Sequence, residues 1–337
     1  MLSEAPLRRL CVFFPGALGD FICFLPALEF LSQQAQVELF TQTEFASLAP
    51  LRVRVRSLEC FELRELFVSE SNEEERLIRF YSSYDFVHSW TGSSQPDFVR
   101  RLVRVSKGRA RVYPFRPEGT PMHQADYYCF CLRAGNRRRS IPKVVPRPDA
   151  VVWSTRYWAR FALEGKPVLV LGPGSGAKEK NWPPAFYRAV ALWWRQVTRG
   201  VVVVLLGPAE EERGGMQSLL EGVLVARNLN LARVAALLAR SQVYLGNDSG
   251  ITHLAAAVGV RTVALFGPSD WTQWSPRGTK TKIVRRTTEC SPCERPLMRQ
   301  CPHRMCLTRL DPSDVIEKLE KLPEVSSLTR GRAEIRV

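Results

Sequence analysis

No stretch of this sequence is both apolar and long enough to cross a membrane. The nearest candidate, Leu10 to Leu31 behind Arg8-Arg9, has the outline of a leader or anchor. Asp20 falls in mid-span, however, and Pro15, Gly16, Gly19 and Pro26 interrupt the run. A strand, a loop and a helix are expected there instead. Acidic residues are also in deficit: 33 Asp and Glu stand against 48 Lys and Arg, a formal net charge of +15. Such an excess decides nothing about fold, but it attracts phosphate-rich ligands and anionic surfaces. The composition carries no sign of a disordered or fibrous chain, since 45% apolar and 24% charged residues is the ordinary globular mixture. Nine cysteines without a secretory leader point to a reducing compartment, where thiols pack or bind metal rather than pair. The expectation is a cytoplasmic protein.

What is present fits two domains, because 337 residues exceed what one hydrophobic core usually supports. Strand-like runs at Leu10 to Phe14, Gln36 to Thr41 and Asp85 to Trp90 alternate with helical segments such as Phe24 to Gln34. That alternation predicts a parallel sheet. From Arg100 to Arg116 the text turns basic (Arg100, Arg101, Arg104, Lys107, Arg109, Arg111, Arg116), and Arg137-Arg138-Arg139 repeats the bias. A boundary is placed at 155/156, giving domains 1–155 and 156–337. The second half has continuous apolar runs of the kind buried on both faces: Pro167 to Leu171, Val201 to Leu206, Val223 to Ala226, Gln242 to Gly246 and Thr262 to Phe266. Leu231 to Arg240 and Thr252 to Val258 fall between them as helices, the latter stopped by Gly259. Two doubly wound units of this kind would hold a ligand beyond the carboxyl ends of their strands, in a cleft between them.

Asn247-Asp248-Ser249-Gly250-Ile251-Thr252-His253 follows a strand and opens a helix, where backbone N–H groups and the helix dipole suit a diphosphate. Asp248 and Ser249 are equally helix-cap residues, and for Asp248 alone the cap is favoured. Gly172-Pro173-Gly174-Ser175-Gly176-Ala177 nearly spells the dinucleotide fingerprint, but the next helix opens only at Pro183-Pro184. An anion-binding loop with Lys180 as a point charge is expected, against a plain solvated turn. Asp20, after Pro15-Gly16-Ala17-Leu18-Gly19, is either a general base or a cap. Glu210 is either a ribose acceptor or part of a solvated acidic run with Glu211 and Glu212. Cys290, Cys293, Cys301 and Cys306, with His303 among them, gather four of the nine cysteines. They read as a tetrahedral zinc or iron site or as a packed reduced loop. His88 and His123 are given no chemistry.

Four motifs in order resemble the ADP-heptose:lipopolysaccharide heptosyltransferases, glycosyltransferase family 9. They are Gly16-Ala17-Leu18-Gly19-Asp20 with Leu25-Pro26-Ala27-Leu28, Lys180-Asn181-Trp182-Pro183, Asn247 to Ala256, and Phe266-Gly267-Pro268-Ser269. The resemblance implies a GT-B fold: two Rossmann-like doubly wound domains facing across a cleft, the first for the acceptor and the second for the nucleotide sugar. The final helix would stay with the second or pack back on the first. It implies inverting transfer from an ADP-sugar to a lipopolysaccharide core or lipid A type acceptor, with no catalytic metal. By position it makes Asp20 the base, gives Ser175 and Lys180 to the donor phosphates and Glu210 to the ribose. Asp248, Ser249, Gly250 and His253 would hold the diphosphate and sugar. Ser249 stands where many members have threonine. Arg100, Arg101 and Arg104 become candidates for the phosphorylated acceptor and an anionic inner-leaflet surface, which would make the protein peripheral on the inner membrane. Related autotransporter heptosyltransferases bind iron through cysteines, so a structural metal at the Cys cluster is carried along. No nucleic acid is expected. A polyanion-binding module without catalysis and a dinucleotide oxidoreductase are the rival readings.

Overall fold

The computed structural model describes residues 8–68, 72–117, 121–134, 140–323 and 325–326. The run Arg137-Arg138-Arg139 lies outside the described residues. Two compact units emerge, dividing after Ser140. Among the described residues no helix is long and apolar enough to cross a membrane.

The first unit is built on five parallel strands: β1 (Arg9–Phe13), β2 (Gln36–Thr41), β3 (Val53–Ser57), β4 (Phe86–Ser89) and β5 (Ala110–Val112). Their order is β3-β2-β1-β4-β5. In register, Leu10 on β1 stands opposite Val37 on β2 and Phe86 on β4. Every parallel neighbour needs a crossover, usually helical. Helix α1 (Leu18–Ser32) supplies the first. It begins six residues before the expected Phe24 and runs through Pro26. A ring there forfeits one intrahelical bond, but Phe21, Ile22, Phe24, Leu25 and Leu28 are all buried and hold the helix by packing. Helix α2 (Pro96–Val105) buries Phe98, Leu102 and Val105, a spacing that leaves its arginines on the outer face. Helix α3 (Gln124–Cys131) lies against α1. Phe14 stacks on Phe24 at 4.3 Å, and Tyr128 meets Phe14 edge-on at 5.3 Å.

The second unit begins before its first strand. Val144 N–H donates to Ala257 O at 3.0 Å, and α4 (Pro148–Arg160) packs on a helix of this unit. The boundary therefore falls at 140/141 rather than 155/156. Ala150, Ser154 and Trp158 are the buried side of α4, and they belong to this core. Six parallel strands follow: β6 (Val168–Gly172), β7 (Val201–Leu206), β8 (Leu224–Arg227), β9 (Val243–Asn247), β10 (Arg261–Phe266) and β11 (Thr281–Arg285). They lie in the order β11-β10-β9-β6-β7-β8. Its helices include α5 (Pro184–Thr198), α6 (Pro208–Arg213), α7 (Leu231–Arg240), α8 (Gly250–Val258) and α9 (Pro312–Glu320). Gly259 ends α8 at φ +90°, a left-handed position where a Cβ would be strained. Leu171, Trp182, Tyr187, Trp194, Val204 and Leu265 form one buried cluster, joined by Val315 and Leu319 of α9. The last helix thus completes the core of the second unit.

Candidate active site

Within the second sheet β6 has β7 on one side and β9 on the other. Chain leaving β6 crosses one way and chain leaving β9 the other, so their loops diverge at the carboxyl edge and leave a binding position. Both loops carry expected site residues. The loop after β6 bends through a short turn at Lys178–Lys180 before α5 opens at Pro184. From that turn Lys180 Nζ reaches Asp248 Oδ2 at 2.6 Å. Asp248 is only 8% exposed and Lys180 28%, so the pair is poorly screened by solvent. Asp248 is consequently an ion-pair partner. The cap is Ser249, whose Oγ accepts from Thr252 N–H at 3.3 Å. A serine cap satisfies one donor, leaving other first-turn amides of α8 without an intrahelical partner. An ammonium group and a helix amino end therefore stand together.

Asn247, the last residue of β9, fixes the two loops to each other. Its Oδ1 accepts from Trp182 N–H and Tyr187 OH, both at 2.9 Å, and its Nδ2 donates to Pro173 O at 2.7 Å. Trp182 is in turn anchored by its ring N–H on Leu310 O at 2.8 Å. Ser175 is buried, with Oγ 2.6 Å from both Ala177 O and Asn181 Oδ1. Its single proton serves one or the other, so the hydroxyl is turned into its own loop. Arg213 Nη1 donates to Ser175 O at 2.9 Å. Glu210 lies in the first turn of α6, where its Oε2 accepts from Gly207 N–H at 3.0 Å. The acidic triplet is thus helical. A Cβ on Gly174 would fall 2.0 Å from Glu210 Oε1, so any larger residue there would push this carboxylate aside.

His253, one turn into α8, is 3% exposed. Burial lowers its pKa to about 4; the Asp248 charge opposes this and Lys180 adds to it, while the ring donates to the Trp274 backbone. The imidazole is a neutral donor at pH 7. His88 in the first unit is likewise lowered to about 4, by burial and then by Arg111. In both cases the unfolded imidazole, near 6.5, binds a proton that the folded one refuses. Stability is full above about pH 6.5 and is lost as pH falls toward 4. Urea denaturation at pH 7.5 and 5.0 should show about 2 kcal/mol less stability per histidine at the lower pH. A pH-independent midpoint would show that these rings titrate normally.

In the first unit Asp20 occupies the third position of α1, just past the end of β1. Its Oδ2 accepts from Ala17 N–H at 3.2 Å, and its Oδ1 accepts from Arg116 Nη1 at 2.9 Å. The carboxylate is therefore both a cap and one half of an ion pair, with its side chain 12% exposed. Arg116 lies past the end of β5. Arg100, Arg101 and Arg104 sit instead on the α2 crossover. There Arg100 pairs with Asp97, Arg101 Nη1 donates to Glu65 O at 2.9 Å, and Arg104 Nε meets Glu74 Oε1 at 2.9 Å.

Cys290, Cys293, Cys301 and Cys306 line one small cavity with Glu179 and Pro268. Cys293 Sγ donates to Cys290 O at 2.9 Å, and Cys301 Sγ lies 3.6 Å from His303 Nδ1. Among the described residues no three such side chains stand close enough together to hold a metal ion. The loop grips the site's surroundings: Cys293 N–H donates to Pro268 O at 2.7 Å, and Arg304 Nη1 to Lys178 O at 3.2 Å. Sequence reasoning placed Asn247 in the loop motif and Arg116 in the basic run without giving either its partner, and it missed Arg304. For Asn247 an amide ending an apolar strand was the available signal for its bracing role; Arg304 carried none.

Residues 142–302 match "Glycosyltransferase family 9 (heptosyltransferase)". Lipooligosaccharide heptosyltransferase 2 of Campylobacter jejuni is 34% identical over 174 residues, 49% of this chain and 53% of that one. The chain thus spans about half the length of that relative. Lipopolysaccharide heptosyltransferase 2 of Escherichia coli K12 is 29% identical over 315 residues, 86% of this chain and 85% of that one. A glycosyl transferase family 9 structure from Veillonella parvula superposes with a TM-score of 0.74 at 18% identity, covering 94% of this chain and 98% of that one. The ADP-heptose lipopolysaccharide heptosyltransferase II structure from E. coli gives 0.67 at 18%, covering 96% and 99%. At such identity the structures establish the fold, which is GT-B.

Proposed function

We propose that the chain is a family 9 glycosyltransferase, on the match of residues 142–302 to that family, and that it moves a heptose from ADP-heptose to a hydroxyl of a lipopolysaccharide core acceptor, with inversion. One observation carries the donor half: the Lys180 ammonium, 2.6 Å from Asp248, beside the amino end of α8. A diphosphate there meets a fixed cation and helix amides whose positions need no rearrangement as negative charge develops on the leaving ADP. Glu210, held by Gly207 N–H, accepts from the ribose hydroxyls, and the neutral His253, its one N–H spent on the Trp274 backbone, offers its other ring nitrogen to a sugar hydroxyl as an acceptor. Asp20 takes the proton of the attacking hydroxyl as the new bond to the anomeric carbon forms and the bond to the diphosphate breaks. The acceptor is anionic and membrane-bound, so the +15 charge supports work at the anionic inner leaflet.

A panel of ADP-, GDP- and UDP-sugars, read by titration and by transfer to a lipopolysaccharide core acceptor, tests the reading. ADP-heptose should be preferred; preference for a UDP-sugar would remove the heptosyl reading and leave the fold untouched. The four thiols around one cavity have the chemistry of a zinc or iron site. As placed, the thiols do not converge on one point, so a structural ion would require the loop to close around it; metal analysis of the purified protein tests this, and no catalytic step passes through it.

A further inference from the structure

The base assigned above is not idle in the free protein. Asp20 is held on both oxygens, by the Ala17 amide on Oδ2 and by the Arg116 guanidinium on Oδ1 at 2.9 Å. Its side chain is 12% exposed against 36% for Arg116, so the carboxylate faces inward and the arginine reaches it from the solvent side. Tyr128 closes the inner side, buried and pushed well above its ordinary pKa by burial and then by the Asp20 charge. The arginine side chain, the more exposed of the pair, also lies over the Phe115 ring at 5.0 Å. A carboxylate bonded to a guanidinium has its charged form stabilised and is a correspondingly weak proton acceptor. Drawing Arg116 away restores its basicity, but in a site this sheltered the separated charges need new partners.

We propose that Arg116 is a specificity-determining gate on Asp20, opened by an anionic group that the acceptor carries next to its accepting hydroxyl. The guanidinium exchanges the Asp20 carboxylate for that anion, a bidentate partner of equal charge. The freed Oδ1 then faces the hydroxyl. The hydroxyl proton passes to Asp20 while its oxygen forms the glycosidic bond and ADP departs with the electrons of the broken bond. A neutral acceptor offers the arginine nothing, so the pair stays closed. The inference rests on Asp20 being the base. It selects acceptors by charge at the reacting position, whether that charge is a phosphate or a carboxylate.

The test compares a lipopolysaccharide core acceptor with the same material after phosphatase treatment and after methyl esterification of its carboxylates. Wild-type kcat/KM should drop about 10- to 100-fold when the relevant charge is removed, and which treatment causes the drop identifies the anion. Arg116→Gln should erase that difference while leaving the KM for the sugar nucleotide unchanged, and Arg116→Lys should restore part of it. An unchanged donor KM also shows that the variants fold. If Arg116→Gln discriminates charged from neutral acceptor as strongly as wild type, or if neither treatment affects wild type, the gate is wrong. Asp20→Asn separates the two levels: full activity in that variant defeats the base assignment itself, whereas an inactive Asp20→Asn with unaltered discrimination in Arg116→Gln defeats only the gate.

Discussion

Asp20→Asn should lower kcat by about 10³-fold, within the usual range for removing a general base, with little change in the KM for the sugar nucleotide. Asparagine keeps the size and can still accept from Ala17 N–H, so α1 retains its first-turn bond and the fold survives. It cannot take a proton from a hydroxyl. The distinction matters because Asp20 has two structural tasks, closing the start of α1 and pairing Arg116. A variant that merely unfolded the first unit would lose donor and acceptor kinetics together. Steady-state kinetics with the donor and acceptor varied in turn, alongside circular dichroism, separates these outcomes. Retention of more than about a tenth of wild-type kcat, against the 10²-fold minimum expected of a base, would leave catalysis without one.

Asn247→Ala should be the most damaging substitution for stability, costing about 3–5 kcal/mol in the second unit. The amide is fully buried and makes bonds of 2.7–2.9 Å to Trp182 N, Tyr187 OH and Pro173 O. Alanine takes this partner from the buried Trp182 N–H and Pro173 O and leaves Tyr187 OH only its longer 3.4 Å bond to Gly172 O. Seven of the eight tryptophans belong to the second unit, Trp90 being the exception, so urea unfolding followed by tryptophan fluorescence reports this loss directly. Because Asn247 ties the Lys180 loop to the Asp248 loop, donor affinity should fall in conditions where the variant is still folded. A change below about 1 kcal/mol, the worth of a single ordinary hydrogen bond, would show that the two loops hold together without it.

The elements that were legible and those that were not differ in burial. Gln36–Thr41, Val201–Leu206 and Leu231–Arg240 coincide with the expected elements, because strands covered on both faces and a helix with one apolar stripe write their periods plainly. The three strands passed over, β3, β5 and β11, are all sheet edges. Val53-Arg54-Val55-Arg56 alternates charge with apolar residues, and Thr281-Lys282-Ile283-Val284-Arg285 sets only two apolar residues between charges, so neither shows the continuous apolar run of a strand covered on both faces. The basic stretch from Arg100 to Arg116 concealed β5 for the same reason: its arginines decorate the outside of a helix and an edge strand.

The sequence by itself determined the alternation of strand and helix, the late start of the helix after Gly176, and the four ordered motifs. Each is a local property of neighbours along the chain, set by periodicity, proline and glycine. Partnership was decided only by the tertiary structure. Asp248 is bonded to Lys180, 68 residues away, rather than capping α8; Asp20 is bonded to Arg116 across 96 residues; and α4 and α9 both belong to the second core. A carboxylate, an amide or an arginine has much the same local signature whether it caps a helix, meets solvent or closes an ion pair. Which of these it does depends on what the strand order sets beside it.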